Sequence, residues 1–273
     1  MKKWYQKSMA VITAAACLFA GGTIGLARDS LPQLQLTAGA EESTYIEAAY
    51  GLQLKYDYLS DGTVEITKFV SSTSSDIELP SMIDGKSVTS IGDDAFNANN
   101  IEACSNLTSI IIPDSVTNIG AYAFFKCNSL VSVTIPDSVT SIGESAFVAC
   151  TSLTNVTIPD SVTNIGACAF FMCSSLVSVT IPDSVTSIGG STFESCTSLT
   201  SVTIPEGVTN IGLCAFYNCN NLTDIYYKGT ESKWNEISME DLTIPSNSTI
   251  HYNVPTIGSL EIAKVEVTLD ELQ

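Results

Sequence analysis

The chain is poor in cations. Its 273 residues hold 11 Lys and Arg against 29 Asp and Glu, and the only arginine is Arg28. Phosphate backbones are gripped by clustered Lys and Arg, so the composition argues against nucleic acid as a partner. Anionic lipid asks for the same clusters, so no membrane contact is expected beyond export. The single histidine, His251, and the lack of any C-x-x-C pair leave no zinc set. No G-x-S-x-G, P-loop or G-x-G-x-x-G unit occurs. These absences point away from an enzyme, and neither metal nor cofactor is expected.

The N-terminus reads as an export signal. Lys2, Lys3 and Lys7 precede an apolar, small-residue stretch from Met9 to about Leu26. Ala38-Gly39-Ala40 offers a cleavage site, with Gly25-Leu26-Ala27 a weaker earlier one. Residues 1–40 are assigned as a signal peptide. A retained anchor is the alternative, weakened by Gly21 and Gly22; a lipoprotein site at Cys17 has too short an apolar run before it. Cleavage removes four cations and Asp29, which moves the formal net charge from −18 to −21. Such acidity suits solubility outside the cell.

What is abundant is repetition. The pattern L-x-x-V-x-I-P-D-x-V-T-x-I-G-x-x-A-F-x-x-C returns every 23 residues. Its leucines are Leu107, Leu130, Leu153, Leu176, Leu199 and Leu222. Its phenylalanines are Phe124, Phe147, Phe170, Phe193 and Phe216. Pro136 and Cys150 stand for two further columns in the same register. A looser unit precedes them, with Ile77 to Pro80, Val88 to Gly92 and Ala95-Phe96 on the pattern and extra residues between. Atypical terminal repeats are expected, because one of their faces has no neighbour.

One unit can be read physically. Val133 and Ile135 alternate with Ser132 and Thr134, as in a short strand with one face inward. Pro136-Asp137-Ser138 ends the strand in a turn, with the aspartate side chain expected to hold local backbone. Val139 and Ile142 return apolar groups to the inside, and Gly143 is expected to serve a conformation that a β-carbon penalises. Ala146, Phe147 and Cys150 have spacings that suit a short helical turn. Stacked units cover each other's apolar faces. At about 4.8 Å per rung, six or seven rungs make a rod of roughly 30 Å.

Both ends carry departures from the pattern. Residues 50–56 and 63–67 flank Ser60-Asp61-Gly62 and read as a β-hairpin. At the far end, Tyr226, Tyr227 and Trp234 lead to Ser248-Thr249-Ile250-His251-Tyr252, aromatics suited to sealing a last rung.

These columns, with S-L-T-S-V-T-I-P, V-T-x-I-G and A-F-x-x-C, resemble the BspA-type leucine-rich repeats of bacterial surface proteins. Tyr226-Tyr227-Lys228-Gly229-Thr230 followed by Trp234 resembles that family's end unit, and the likeness covers about residues 50–253. It implies a leucine-rich-repeat solenoid, β-rich, with short helical turns on the convex side, secreted or at the cell surface and associated with adhesion. The chain departs from the family in showing no cell-wall sorting motif. The expected organisation is a signal peptide over 1–40, an N-terminal β-hairpin cap over 41–76, 23-residue repeats over 77–221, a C-terminal cap over 222–253, and a tail over 254–273. Leu260 to Leu269 alternates like a strand, so the tail is either loose or the start of a further β module.

Candidate sites follow from what points outward. Ser132, Thr134, Asn155, Thr157, Ser178, Thr180, Ser201 and Thr203 make a flat, hydroxyl-rich face. Repeat proteins bind through such extended surfaces, although this one lacks the aromatic and Arg anchors of hot spots. Phe125, Phe171 and Tyr217, interrupted by Val148 and Glu194, form a second candidate contact if exposed; packing between rungs is the alternative. Cys104, Cys127, Cys150, Cys173, Cys196 and Cys219 read as a buried ladder of small apolar groups rather than disulfides. Asp114, Asp137, Asp160, Asp183 and Glu206 form an acidic column, readable as a calcium site or, more simply, as turn residues. His251 is expected to be structural. The functional expectation is a non-catalytic binding or adhesion protein for an extracellular protein or glycan. The alternative is a spacer that presents a neighbouring module.

Overall fold

Two rows of short parallel strands carry the fold. The computed structural model describes residues 45–47, 51–99, 102–239 and 244–254. The first row runs Asp76–Glu78, Ser109–Ile111, Ser132–Thr134, Asn155–Val156, then Ser178–Thr180, Ser201–Ile204, Asp224–Tyr227 and Thr249–His251. The second runs Val64–Ser71, Lys86–Ile91, Asn118–Ile119, Ser141–Ile142, Asn164–Ile165, then Ser187–Ile188, Asn210–Ile211 and Ser238–Met239. The result is a β-solenoid of eight rungs, where the repeat columns indicate six or seven. The chain divides into two units, 1–39 and 40–273. The expected signal peptide lies outside the described residues, as does the tail from residue 255.

The strands form because each alternates apolar and polar residues, and they stack because the period is constant. Ser109 pairs with Ser132, and Ser178 with Ser201, so equal positions of successive units face the same way. The Leu, Val, Ile, Phe and Cys columns are buried throughout. Seven phenylalanine rings stack from Phe69 through Phe96, Phe124, Phe147, Phe170 and Phe193 to Phe216, with centroids 5.0 to 5.5 Å apart. Phe69 precedes the recognisable motif and starts the stack.

The Phe-bearing segments are not helical. Each is a pair of tight turns, with Phe125 N donating to Tyr122 O at 3.0 Å and Cys127 N to Phe124 O at 3.2 Å. In five successive units two residues have positive φ, four positions apart, as in Tyr122 and Lys126, Ser145 and Ala149, and Cys168 and Met172. A left-handed residue ends an α-helix, so the segment cannot wind on. Its free amides bond to the next rung instead, Phe124 N to Ala146 O at 2.7 Å. The inward direction of Ala146, Phe147 and Cys150 is kept.

Two further expectations need correction. Gly143 does not have positive φ. It is required by close approach, because a Cβ there would lie 2.5 Å from the Gly120 carbonyl carbon. The Pro-Asp-Ser turn is held by Val139 N donating to Pro136 O at 3.0 Å, and no aspartate side-chain bond supports it among the described residues. The following serine does the bridging: Ser161 Oγ donates to Val139 O of the previous unit at 2.7 Å, and Ser138 and Ser184 repeat the contact.

Both rows divide at the same place, after Asn155–Val156 in one and after Asn164–Ile165 in the other. The next unit carries Thr192 where the others carry alanine. Thr192 is fully buried, and its Oγ1 donates to Gly189 O at 2.8 Å. At the same place the Gly189 backbone stands further from the preceding rung. A Cβ on Gly189 would find its nearest neighbour at 3.1 Å, against 2.4 to 2.6 Å at Gly120, Gly143, Gly166 and Gly212.

Strands Gln53–Tyr58 and Val64–Ser71 form the expected hairpin, antiparallel, with its turn closed by Leu59 N to Thr63 O at 2.9 Å. Leu54 and Tyr56 are buried against the first rung. At the other end Thr230 caps a one-turn helix, Glu231–Trp234, whose Trp234 packs edge-on against Tyr227.

Candidate binding face

The outer side of the first row presents the residues expected there. Ser132, Thr134, Asn155, Thr157, Ser178 and Thr180 are exposed, and Ser201 and Thr203 are half-buried. None of these eight side chains hydrogen-bonds to another described residue. The neighbouring columns behave differently. Thr154 Oγ1 donates to Val131 O at 3.4 Å and Thr200 Oγ1 to Val177 O at 3.1 Å, tying rung to rung. Thr140 and Thr163 do the same beside the second row. Sequence alone does not separate structural threonines from free ones; register does.

The division of the rows splits the face into two blocks. Ser132, Thr134, Asn155 and Thr157 belong to one; Ser178, Thr180, Ser201 and Thr203 belong to the other. The second block continues into Asp224–Tyr227 and Thr249–His251, because Thr203 pairs with Tyr226 and Tyr226 with His251. There the face changes character. Tyr226 and His251 stack with centroids 4.9 Å apart. His251 Nε2 lies 2.7 Å from Asp224 Oδ1, and Thr223 Oγ1 donates to Asp224 Oδ2 at 2.7 Å. The Thr223 hydroxyl, and then His251, hold the Asp224 carboxyl below its ordinary pKa.

The second candidate contact is less continuous. Phe125 and Phe171 are half-buried and Tyr217 is exposed, but Val148 between them is buried. Phe125 packs edge-on against Tyr122 at 5.8 Å. The strip is thus partly exposed and partly packed between rungs.

A profile of the BspA type leucine-rich repeat region matches residues 63–167, 89–223 and 142–259. The chain belongs to this family. Among solved structures, a leucine-rich repeat protein of T. pallidum is 30% identical with a TM-score of 0.61, over 71% of this chain and 88% of that one. A leucine-rich cell surface protein of Faecalibacterium prausnitzii is 33% identical with a TM-score of 0.57, over 69% of this chain and 56% of that one. The pneumococcal vaccine antigen PcpA, at 15% identity and a TM-score of 0.51, shares the fold. No curated relative matches. Together these make the chain a repeat-based interaction module.

In this BspA-type solenoid the eight described cysteines are free. The ladder cysteines are more than small apolar groups. Cys150 Sγ donates to Phe124 O at 3.1 Å, and Cys127, Cys173, Cys196 and Cys219 repeat the bond. Burial pushes the thiols of Cys173 and Cys219 up to about 12. Of the acidic column, Asp183 pairs with Lys228 at 2.6 Å and Glu206 with Lys233 at 2.5 Å. Among the described residues no group of three or more His, Cys, Asp or Glu side chains is placed to hold a metal ion. No helix among them is long and apolar enough to cross a membrane.

Proposed function

We propose that the chain is an exported, non-catalytic binding protein of the bacterial surface or medium, and that it contacts an extracellular protein or glycan through the outer face of the first strand row. The observation that carries this reading is the set of eight outward side chains without a hydrogen-bond partner among the described residues, beside columns in which Thr140, Thr154, Thr163 and Thr200 join rung to rung. Free donors and acceptors at rung spacing suit an extended ligand. The likeness to the leucine-rich cell surface protein of F. prausnitzii supports the same compartment. In this reading the hairpin and the C-terminal segment with Trp234 serve as caps of the stack.

The test is a binding screen of the full chain against matrix proteins, mucin and cell-wall glycans, with N-terminal sequencing of the exported form. Saturable binding, and a mature terminus just after Ala40, are expected. If no surface is bound and activity appears only with an adjoining module, the chain is a spacer.

A further inference from the structure

The outer face is flat until Thr203 and then rises. In one line of register partners the order is Thr180, Thr203, Tyr226, His251, and in the parallel line it is Ser178, Ser201, Asp224, Thr249. A short side chain at Thr203 thus stands beside the ring of Tyr226. That ring is braced from the far side by His251, which is held by Asp224, which is held by Thr223. The brace is accessible: the His251 and Asp224 side chains are 41% and 38% exposed.

The chemistry of this step is selective. The Tyr226, Ser201 and Thr203 hydroxyls have no hydrogen-bond partner among the described residues. Both oxygens of the Asp224 carboxylate already have partners within the chain, His251 and Thr223. No Lys or Arg belongs to either line, and the nearby Lys228 and Lys233 are paired with Asp183 and Glu206. An anionic ligand would find no counter-charge in a chain of formal net charge −18. What remains is one aromatic wall beside a ledge of neutral hydroxyls. A pyranose ring has the matching form, with an apolar C–H face and hydroxyls that both donate and accept.

We infer that Tyr226, braced by His251 and Asp224, is the anchor subsite for a neutral saccharide chain, whose sugar ring packs on the tyrosine over Thr203 and Ser201. This deepens the proposed function and rests on it. The chain then runs over Ser178 and Thr180, along the block of the face that is continuous with the step.

The experiment is titration calorimetry of the full chain with neutral hexasaccharides (β-1,4-glucan, α-1,4-glucan and β-1,4-linked N-acetylglucosamine), a hyaluronan hexasaccharide and a lysine-rich peptide. At least one neutral sugar should bind, and Tyr226→Ala should weaken it at least tenfold. Thr203→Trp, which fills the ledge and leaves the aromatic pair intact, should weaken it similarly. Thr134→Gln and Thr157→Gln, on the other block, should change it less than twofold. Circular dichroism checks that each variant folds. Binding that Tyr226→Ala and Thr203→Trp leave unchanged would overturn the subsite and leave the binding function standing. Preference for hyaluronan or the basic peptide, or no binding of any neutral sugar, would also overturn it. Failure of every ligand here and in the wider screen would remove the binding function as well.

Discussion

Cys173 donates its thiol to the backbone carbonyl of Phe147, one rung back, at 3.2 Å. That carbonyl also receives the amide of Cys150 at 3.2 Å. The thiol therefore joins rungs as well as filling space, and burial keeps it protonated.

This predicts an alkaline instability. Unfolded thiols ionise near pH 8.5, while in the folded chain burial holds the protons of Cys150, Cys173, Cys196 and Cys219, and the neighbouring Cys104 with burial those of Cys127, to higher pH. Above about pH 8.5 the unfolded chain releases protons that the folded chain keeps, so stability falls as pH rises. The full stability is present below that value. Each of these five thiols then removes about 1.4 kcal/mol per pH unit, up to about pH 12 for Cys173 and Cys219. Urea unfolding from pH 7.5 to 10 measures the slope, and Cys173→Ser should flatten it by one thiol's share. An unchanged slope contradicts the assignment.

Thiol labelling gives a second check. Cys168 and Cys214 are half-exposed, while the six ladder cysteines are buried. Among these eight, a maleimide should modify only Cys168 and Cys214 in the native chain, and the ladder only after denaturant. Rapid labelling of Cys150 in native buffer is the contrary result.

The ring stack predicts a contrast between neighbours. Phe170 is fully buried between Phe147 and Phe193, whereas Phe171 is half-exposed. Phe170→Ala should cost about 3–5 kcal/mol, and Phe171→Ala clearly less. Equal melting points would sink the inward assignment of Phe170.

The glycine column predicts another. Gly143→Ala forces a Cβ against the Gly120 backbone, and overpacking of this kind costs about 1–3 kcal/mol or more. A Cβ on Gly207 would meet only Asp183 O, at 3.7 Å. Gly207→Ala should stay within about 0.5 kcal/mol. Thermal melts of the two variants decide it.

Much of this was legible in the residues. The 23-residue spacing of Leu130, Phe147 and Cys150 places the rungs, and the alternation of Ser132 to Ile135 places the outer face. The turns were not legible, because left-handed φ falls on Tyr122, Lys126 and Met172, residue types that do not announce it. The Tyr226–His251 stack was hidden for a different reason. The two residues lie 25 apart across an irregular connection, so the constant period could not align them.

The division of the rows was not legible either, although the unit that follows it is the one with Thr192 in the alanine column. Hydrogen exchange should find the amides of residues 186–189 faster than those of 163–166 and 209–212. Thr192→Ala should slow them by letting the rung close. Equal protection in all three segments would mean that the ladder is continuous.

The central claim is that the outer face of the first row does the binding. The direct measurement is the affinity of the full chain for the surface found by the screen, compared with two double variants. Ser178→Gln with Thr180→Gln crowds the outer face and should weaken binding at least tenfold. Phe171→Ser with Tyr217→Ser strips the turn side and should leave it within twofold. The reverse pattern, loss on the turn side and none on the face, would contradict the account.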